Sequence, residues 1–139
     1  MNAGYRILEH PADLGIEAWG RTVGEAYEQA AEALVAVLVD PETVSACTEV
    51  TVDVSAEDLE HLLVRWLSEI LYQLDGRGFV PRRVSVQRVD ETGLSATLRG
   101  EQLDLARHST RTDVKAITYH QLSVQESRQG VVLRVFVDI

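Results

Sequence analysis

Leu59, Leu62, Leu63, Trp66, Leu67, Ile70, Leu71 and Leu74 recur every three or four residues, and this stripe constrains the fold more than any other feature. A helix with so wide an apolar face must bury it against a second layer. Ser55-Ala-Glu-Asp58 supplies a start signal before the stripe, and Asp75-Gly76 a stop after it. The stripe is read as core and not as a cofactor box. The second layer is legible in the flanks: Glu49–Val54 alternates apolar with polar, as do Arg83–Val89 and Leu94–Arg99 around the short hairpin loop Asp90–Gly93.

The remaining segments complete an α+β pattern, with two amphipathic helices packed on a mostly antiparallel β-sheet in one domain spanning 1–139. Tyr5–His10 and Leu14–Gly20 read as short strands separated by a turn at Pro11, which lacks an amide donor. Thr22-Val-Gly-Glu25 matches a capping box, followed by Val23, Tyr27, Ala30, Leu34, Val37 and Leu38 at helical spacing, with Pro41 as the stop. Gly100–Asp113 is polar and aperiodic, the kind of long loop that often carries function. Val114–Gln125 and Val131–Asp138 are expected to form a last hairpin, closed by Ser127–Gly130. Ile117 and Tyr119 share one parity and Leu122 and Val124 the other, which predicts a β-bulge near His120-Gln121.

Composition narrows the function classes. Of the nine negative charges in excess, residues 1–76 hold more than all: three arginines stand there against fifteen acids, while residues 77–139 carry ten basic residues against seven acids. A dedicated nucleic-acid reader concentrates basic charge, so strong direct nucleic-acid binding is not expected. A basic protein partner or a cation suits this balance, and so does acidity that serves only solubility. The longest apolar run, Ala33–Val39, is too short to span a bilayer, and no secretory signal is visible at the N-terminus. Cys47 stands alone, which excludes an internal disulfide and fits a reduced thiol in the cytoplasm.

No phosphate-cradling glycine loop, nucleophile elbow or helical histidine pair is present. The candidate chemistry lies at the ends. Val131, Leu133, Val135 and Val137 form one face of the last strand, so Asp138 is expected to be fixed beside the terminal carboxylate of Ile139. Two anionic groups so placed repel unless a cation, a basic side chain or water compensates. If Asp13, after the Pro11 turn, converges with Asp138 and Ile139, the donors are all oxygen, which suits calcium or magnesium and poorly suits zinc. The alternative for Asp13 is a turn-stabilising role. His10 and His120 are candidate neighbours of these acids, with ordinary sheet histidines as the alternative; Lys115 is a counter-charge or a surface lysine, and His61 a solvated helix residue.

His10-Pro-Ala-Asp-Leu-Gly15, Val114-Lys-Ala-Ile-Thr-Tyr-His120 and Val137-Asp138-Ile139 together resemble the archease family, with Glu57–Leu59 through Trp66–Tyr72 similar to its second helix. The matches run in order over nearly the whole chain. Pro11 stands where the family usually has Thr, and Val132 where it often has Trp. The resemblance implies a metal-binding accessory protein of the tRNA-splicing RNA ligase, a protein cofactor and not an enzyme, which promotes ligase guanylylation and turnover. It carries the metal positions onto Asp13, Asp138 and Ile139. A divalent cation is therefore implied, calcium first, with magnesium and manganese as alternatives. Two other functions stay in view: a chaperone or modulator of protein specificity, and a stand-alone metal-dependent phosphoester hydrolase.

Overall fold

A computed structural model describes residues 2–9 and 12–139. The elements run β1 (Gly4–Glu9), β2 (Asp13–Gly20), α1 (Val23–Leu38), a 3-10 turn (Pro41–Thr43), β3 (Thr48–Ser55), α2 (Leu59–Asp75), β4 (Phe79–Asp90), β5 (Gly93–Gln102), β6 (Ala116–Ile117), β7 (Ser123–Ser127) and β8 (Gly130–Asp138). The class is α+β, as the patterning predicts. The strands divide into two antiparallel sheets, however, where one is expected. The order β1-β2-β8 continues into β6 and β7, which share the free edge of β8, and β3-β5-β4 forms the second sheet.

Both helices begin where their caps predict. Thr22 Oγ1 accepts from the Glu25 amide at 3.1 Å, and an Asp58 carboxylate oxygen accepts from the His61 amide at 2.7 Å. The Glu25 carboxylate reaches back to the Arg21 amide (2.8 Å), one residue earlier than the reciprocal capping box requires. Helix α1 packs against β2 of one sheet and β4 of the other, so its last two turns are buried almost all round. Ala26, Ala30, Ala31 and Ala33 are fully buried, and their small side chains let both sheets approach. The helices clasp each other through two aromatic donors: Trp66 Nε1 donates to the Tyr27 carbonyl (2.9 Å) and the Tyr27 hydroxyl to the Leu59 carbonyl (2.5 Å). Among the described residues no helix is long and apolar enough to cross a membrane.

Two expectations near the site need correction. The first is the long loop after Gly100. It is partly strand, because β5 runs on to Gln102, and its last part, at Arg111-Thr112, is a clasp on the end of α1. The Arg111 and Thr112 amides donate to the Leu38 and Val37 carbonyls (2.9 and 3.0 Å), and Arg111 Nη1 donates to the Ala36 carbonyl (3.0 Å). These donors satisfy carbonyls that a helix end leaves open, and the guanidinium opposes the negative end of the dipole.

The second is the strand over Val114–Gln125, which is broken in two. Ile117 pairs with Val137 and Ser123 with Arg134, so five intervening residues face two on β8. The excess of three is odd and flips parity as a single bulge would, which is why the sequence reads as one. A turn replaces the bulge, with Gln121 at φ 50°, left-handed backbone that glycine adopts more readily.

Candidate metal centre

Strand β2 and strand β8 are antiparallel along their whole length, with Leu14↔Val137, Ile16↔Val135 and Ala18↔Leu133 turned into the core. The alternate pairs form the outer face, away from the helices: Trp19↔Val132, Glu17↔Arg134, Gly15↔Phe136 and Asp13↔Asp138. The first residue of β2 and the last of β8 are thus direct cross-strand partners. Side chains so placed leave the backbone about 5 Å apart and point the same way. Asp13 is half-buried and Asp138 exposed.

The rest of this face is tied down. Phe136 is buried, and a Cβ on Gly15 would lie 2.9 Å from its ring, so the ring rests on bare backbone. His120 meets Phe136 edge-on, with ring centroids 5.6 Å apart. One step further along, Glu17 accepts from Arg6 Nε (2.5 Å) and from Arg134 Nη2 and Nε (2.5 and 3.1 Å). Hydrogen bonds from Arg134 and then Arg6 hold the Glu17 carboxyl below its ordinary value.

The terminal residues are positioned from both sides. The Ile139 side chain is half-buried against the core. The Lys115 amide donates to the Asp138 carbonyl (2.8 Å), and Ala116 is the register partner of Asp138 on β6. The structure therefore brings together Asp13, Asp138, Ile139 and the backbone of Lys115. Among the described residues the Lys115 ammonium makes no salt bridge to either acid, and its side chain is exposed. His120 sits on the same face two positions from Asp138, against Phe136, but no group of three or more His, Cys, Asp or Glu side chains is arranged among the described residues to hold a metal. Among the described residues, this end offers a cation two side-chain carboxylates, with main-chain oxygen as the further donor. His10 and Pro11 lie outside the described residues. His61 is exposed on α2, its Nδ1 2.9 Å from Asp58 and its ring near Tyr119.

One polar cluster escapes sequence reasoning altogether. His108 is buried, its Nδ1 accepts from the Asp104 amide (2.9 Å), and Nε2 therefore carries the proton shared with Glu101 (3.0 Å). Glu101 also accepts from the Ser45 amide (2.7 Å) and from Arg107. Hydrogen bonds from His108, Ser45 and Arg107 pull its carboxyl down to about 2. This cluster ties the end of β5 to the loop before β3 and to the turn over 104–108. No spacing in the sequence announces it, because its members come from the end of β5, the turn that follows and the loop before β3.

Residues 5–139 match the Archease protein family (MTH1598/TM1083). The archease proteins of Methanosarcina mazei and Sulfolobus acidocaldarius are 39% and 36% identical to the chain, each over 97% of it and over 95% and 98% of their own lengths. The solution structure of Methanobacterium thermoautotrophicum protein 1598 superposes with a TM-score of 0.81 at 30% identity, covering 98% of this chain and 99% of that one. With the fold, the length and the order of segments all in agreement, the chain belongs to the archease family.

Proposed function

We infer that this protein is an accessory factor of an RNA ligase of the tRNA-splicing type, acting as a protein cofactor through a divalent-cation site at Asp13, Asp138 and Ile139. Family membership supports the ligase as partner. The observation that carries the site is the cross-strand register Asp13↔Asp138, which sets two carboxylates side by side at the end of β8.

The donor set fits a hard cation. Two carboxylates and a main-chain oxygen of Ile139 offer oxygen alone, the preference of calcium, magnesium and manganese. Calcium, with flexible coordination and about 6–8 ligands, tolerates a site that supplies few protein donors and leaves the rest to water. When bound, the ion supplies positive charge that can organise phosphate oxygens. The chain's own contribution is placement. The β2–β8 ladder holds the two carboxylates, the half-buried Ile139 side chain holds the last residue, and the Lys115 amide donates to the Asp138 carbonyl. Ligase guanylylation is promoted by presenting this tip to the partner.

The test is guanylylation of the cognate ligase with and without this protein across a divalent-ion series. Asp138→Ala should reduce stimulation at least about tenfold, the scale of losing one charged ligand at a phosphoryl-transfer site. Its circular dichroism should be unchanged, since Asp138 is exposed. Full stimulation by that variant removes the carboxylate from the mechanism.

A further inference from the structure

Strand β1 is hydrogen-bonded on one side only, to β2, and among the described strands no other covers its far edge. Edge strands are ordinarily guarded by proline, lysine, bulges or a covering element. Gly4–Glu9 contains no proline or lysine, and its one basic residue, Arg6, is drawn across the outer face to Glu17. Its register is regular, residue for residue, from Gly4↔Trp19 to Glu9↔Leu14. Such an edge is a ready template for another strand.

The face of β1 turned toward the helices carries Tyr5 and Ile7, and both remain over a third exposed because α1 packs on β2 and stops short of covering the edge. Each overlooks a cleft. Tyr5 borders a 130 Å³ cleft with Glu32, Val35, Arg82 and Val84. Ile7 borders a 400 Å³ groove with Leu14, Val37 and Ile139. Glu32 makes no hydrogen bond or salt bridge among the described residues. Burial pushes its carboxyl above the ordinary value, Glu28 adds to this, and Arg83 and Arg82 oppose it from a distance. A cationic side chain placed there relieves the burial cost of the carboxylate.

We propose that β1 is a docking edge for an extended segment of a partner protein, which adds as a further strand and sets a lysine or arginine over Glu32 and an aliphatic side chain in the groove below Ile7. Tyr5 and Ile7 are two residues apart, so the guest's two anchors are also two apart, the period of any strand. Main-chain hydrogen bonds supply the sequence-independent part of the binding and the clefts supply selection. Charge argues for a basic anchor: Glu28, Glu32 and Glu42 stand around the first cleft against Arg82 and Arg83, and Arg82 is already 3.4 Å from Glu42. The same charge argues against a second copy of this chain, whose own β1 would bring Tyr5, Ile7 and Glu9 and no base. The inference is independent of the metal reading, since none of these residues is a proposed ligand.

The experiment is an NMR titration of the isotope-labelled full chain with acetyl-Thr-Val-Thr-Lys-Thr-Val-Thr-amide and with the same peptide bearing Glu for Lys. Amide shifts should be confined to β1 and the two clefts. The Lys peptide should bind about fivefold tighter, the scale of one partly exposed ion pair, and Glu32→Gln should abolish the preference. Ile7→Lys, a change at an exposed edge position, should weaken both peptides. Absence of shifts in β1 at millimolar peptide, or equal affinity of the two peptides, overturns the proposal. So does sedimentation showing that the chain self-associates through β1. Ligase stimulation is read separately and can fail without touching this result.

Discussion

Glu17 and Asp13 lie four residues apart on the same face of β2, and each faces a residue of β8, yet their partners are opposite in kind. Glu17 meets Arg134 and a second guanidinium from Arg6, while Asp13 meets Asp138. The first arrangement is self-sufficient: two guanidiniums more than offset one carboxylate, and the three side chains knit three strands. The second places like charges where cross-strand neighbours of the same sign cost stability. In the function proposed above, a divalent cation completes that pair. Local charge complementarity thus separates the acid that knits the sheet from the two acids of the proposed site.

The sharpest way to break this contrast is to make the second pair resemble the first. Asp138→Arg should abolish ligase stimulation, a loss of at least about tenfold, and should raise the melting temperature measured without divalent ions by a few degrees, as repulsion becomes attraction. Adding calcium at about a hundred times its dissociation constant should stabilise the unaltered chain by roughly 2.7 kcal/mol in calorimetry. Asp13→Ala should erase that gain and Arg134→Ala should keep it.

The converse change tests the structural acid. Glu17→Ala leaves two guanidiniums without their shared acceptor and should cost about 1–3 kcal/mol in urea unfolding, with stimulation retained. Acid titration distinguishes the same group. The Glu17 carboxyl is held below its ordinary value of 4.5, and that of Glu101 falls to about 2. Their stabilising contribution is therefore complete above about pH 4.5 and lost as pH falls through the folded values. Glu17→Gln should flatten part of that acid-side slope. The smallest effect belongs to the spacer between the two pairs. Gly15→Ala must displace the Phe136 ring and should cost about 1 kcal/mol, read as a small drop in unfolding midpoint.

Much of this was legible in the chain. The stripe from Leu59 to Leu74 and the caps at Thr22 and Asp58 place both helices, because helix signals are local. The alternation in Val131–Val137 assigns the core face of β8 correctly, with Leu133, Val135 and Val137 all fully buried. Asp13, Asp138 and Ile139 could be named as candidates from the residues, and the family resemblance added the metal role. Their pairing rests on a register between residues over a hundred positions apart, and parity alone fixes the face but not the partner.

The split of β6 from β7 and the clasp of Arg111 on α1 were not legible. Both depend on which backbone groups remain unsatisfied once the elements have docked. The His108–Glu101 staple was hidden for the same reason, since the end of β5 and two loops had to meet before either group was buried.

By itself, the amino-acid order determined two helices, the strand faces and a charge imbalance that places fifteen acids in residues 1–76, because these follow from periodicity and composition within a few turns of chain. Only the tertiary structure decided that the strands divide into two sheets, that β1 is left with an open edge, and that one acid found arginines while another found its own kind. Those outcomes are set by long-range pairing, where burying the core chooses the register and the polar groups on the far face take whatever neighbours that register provides.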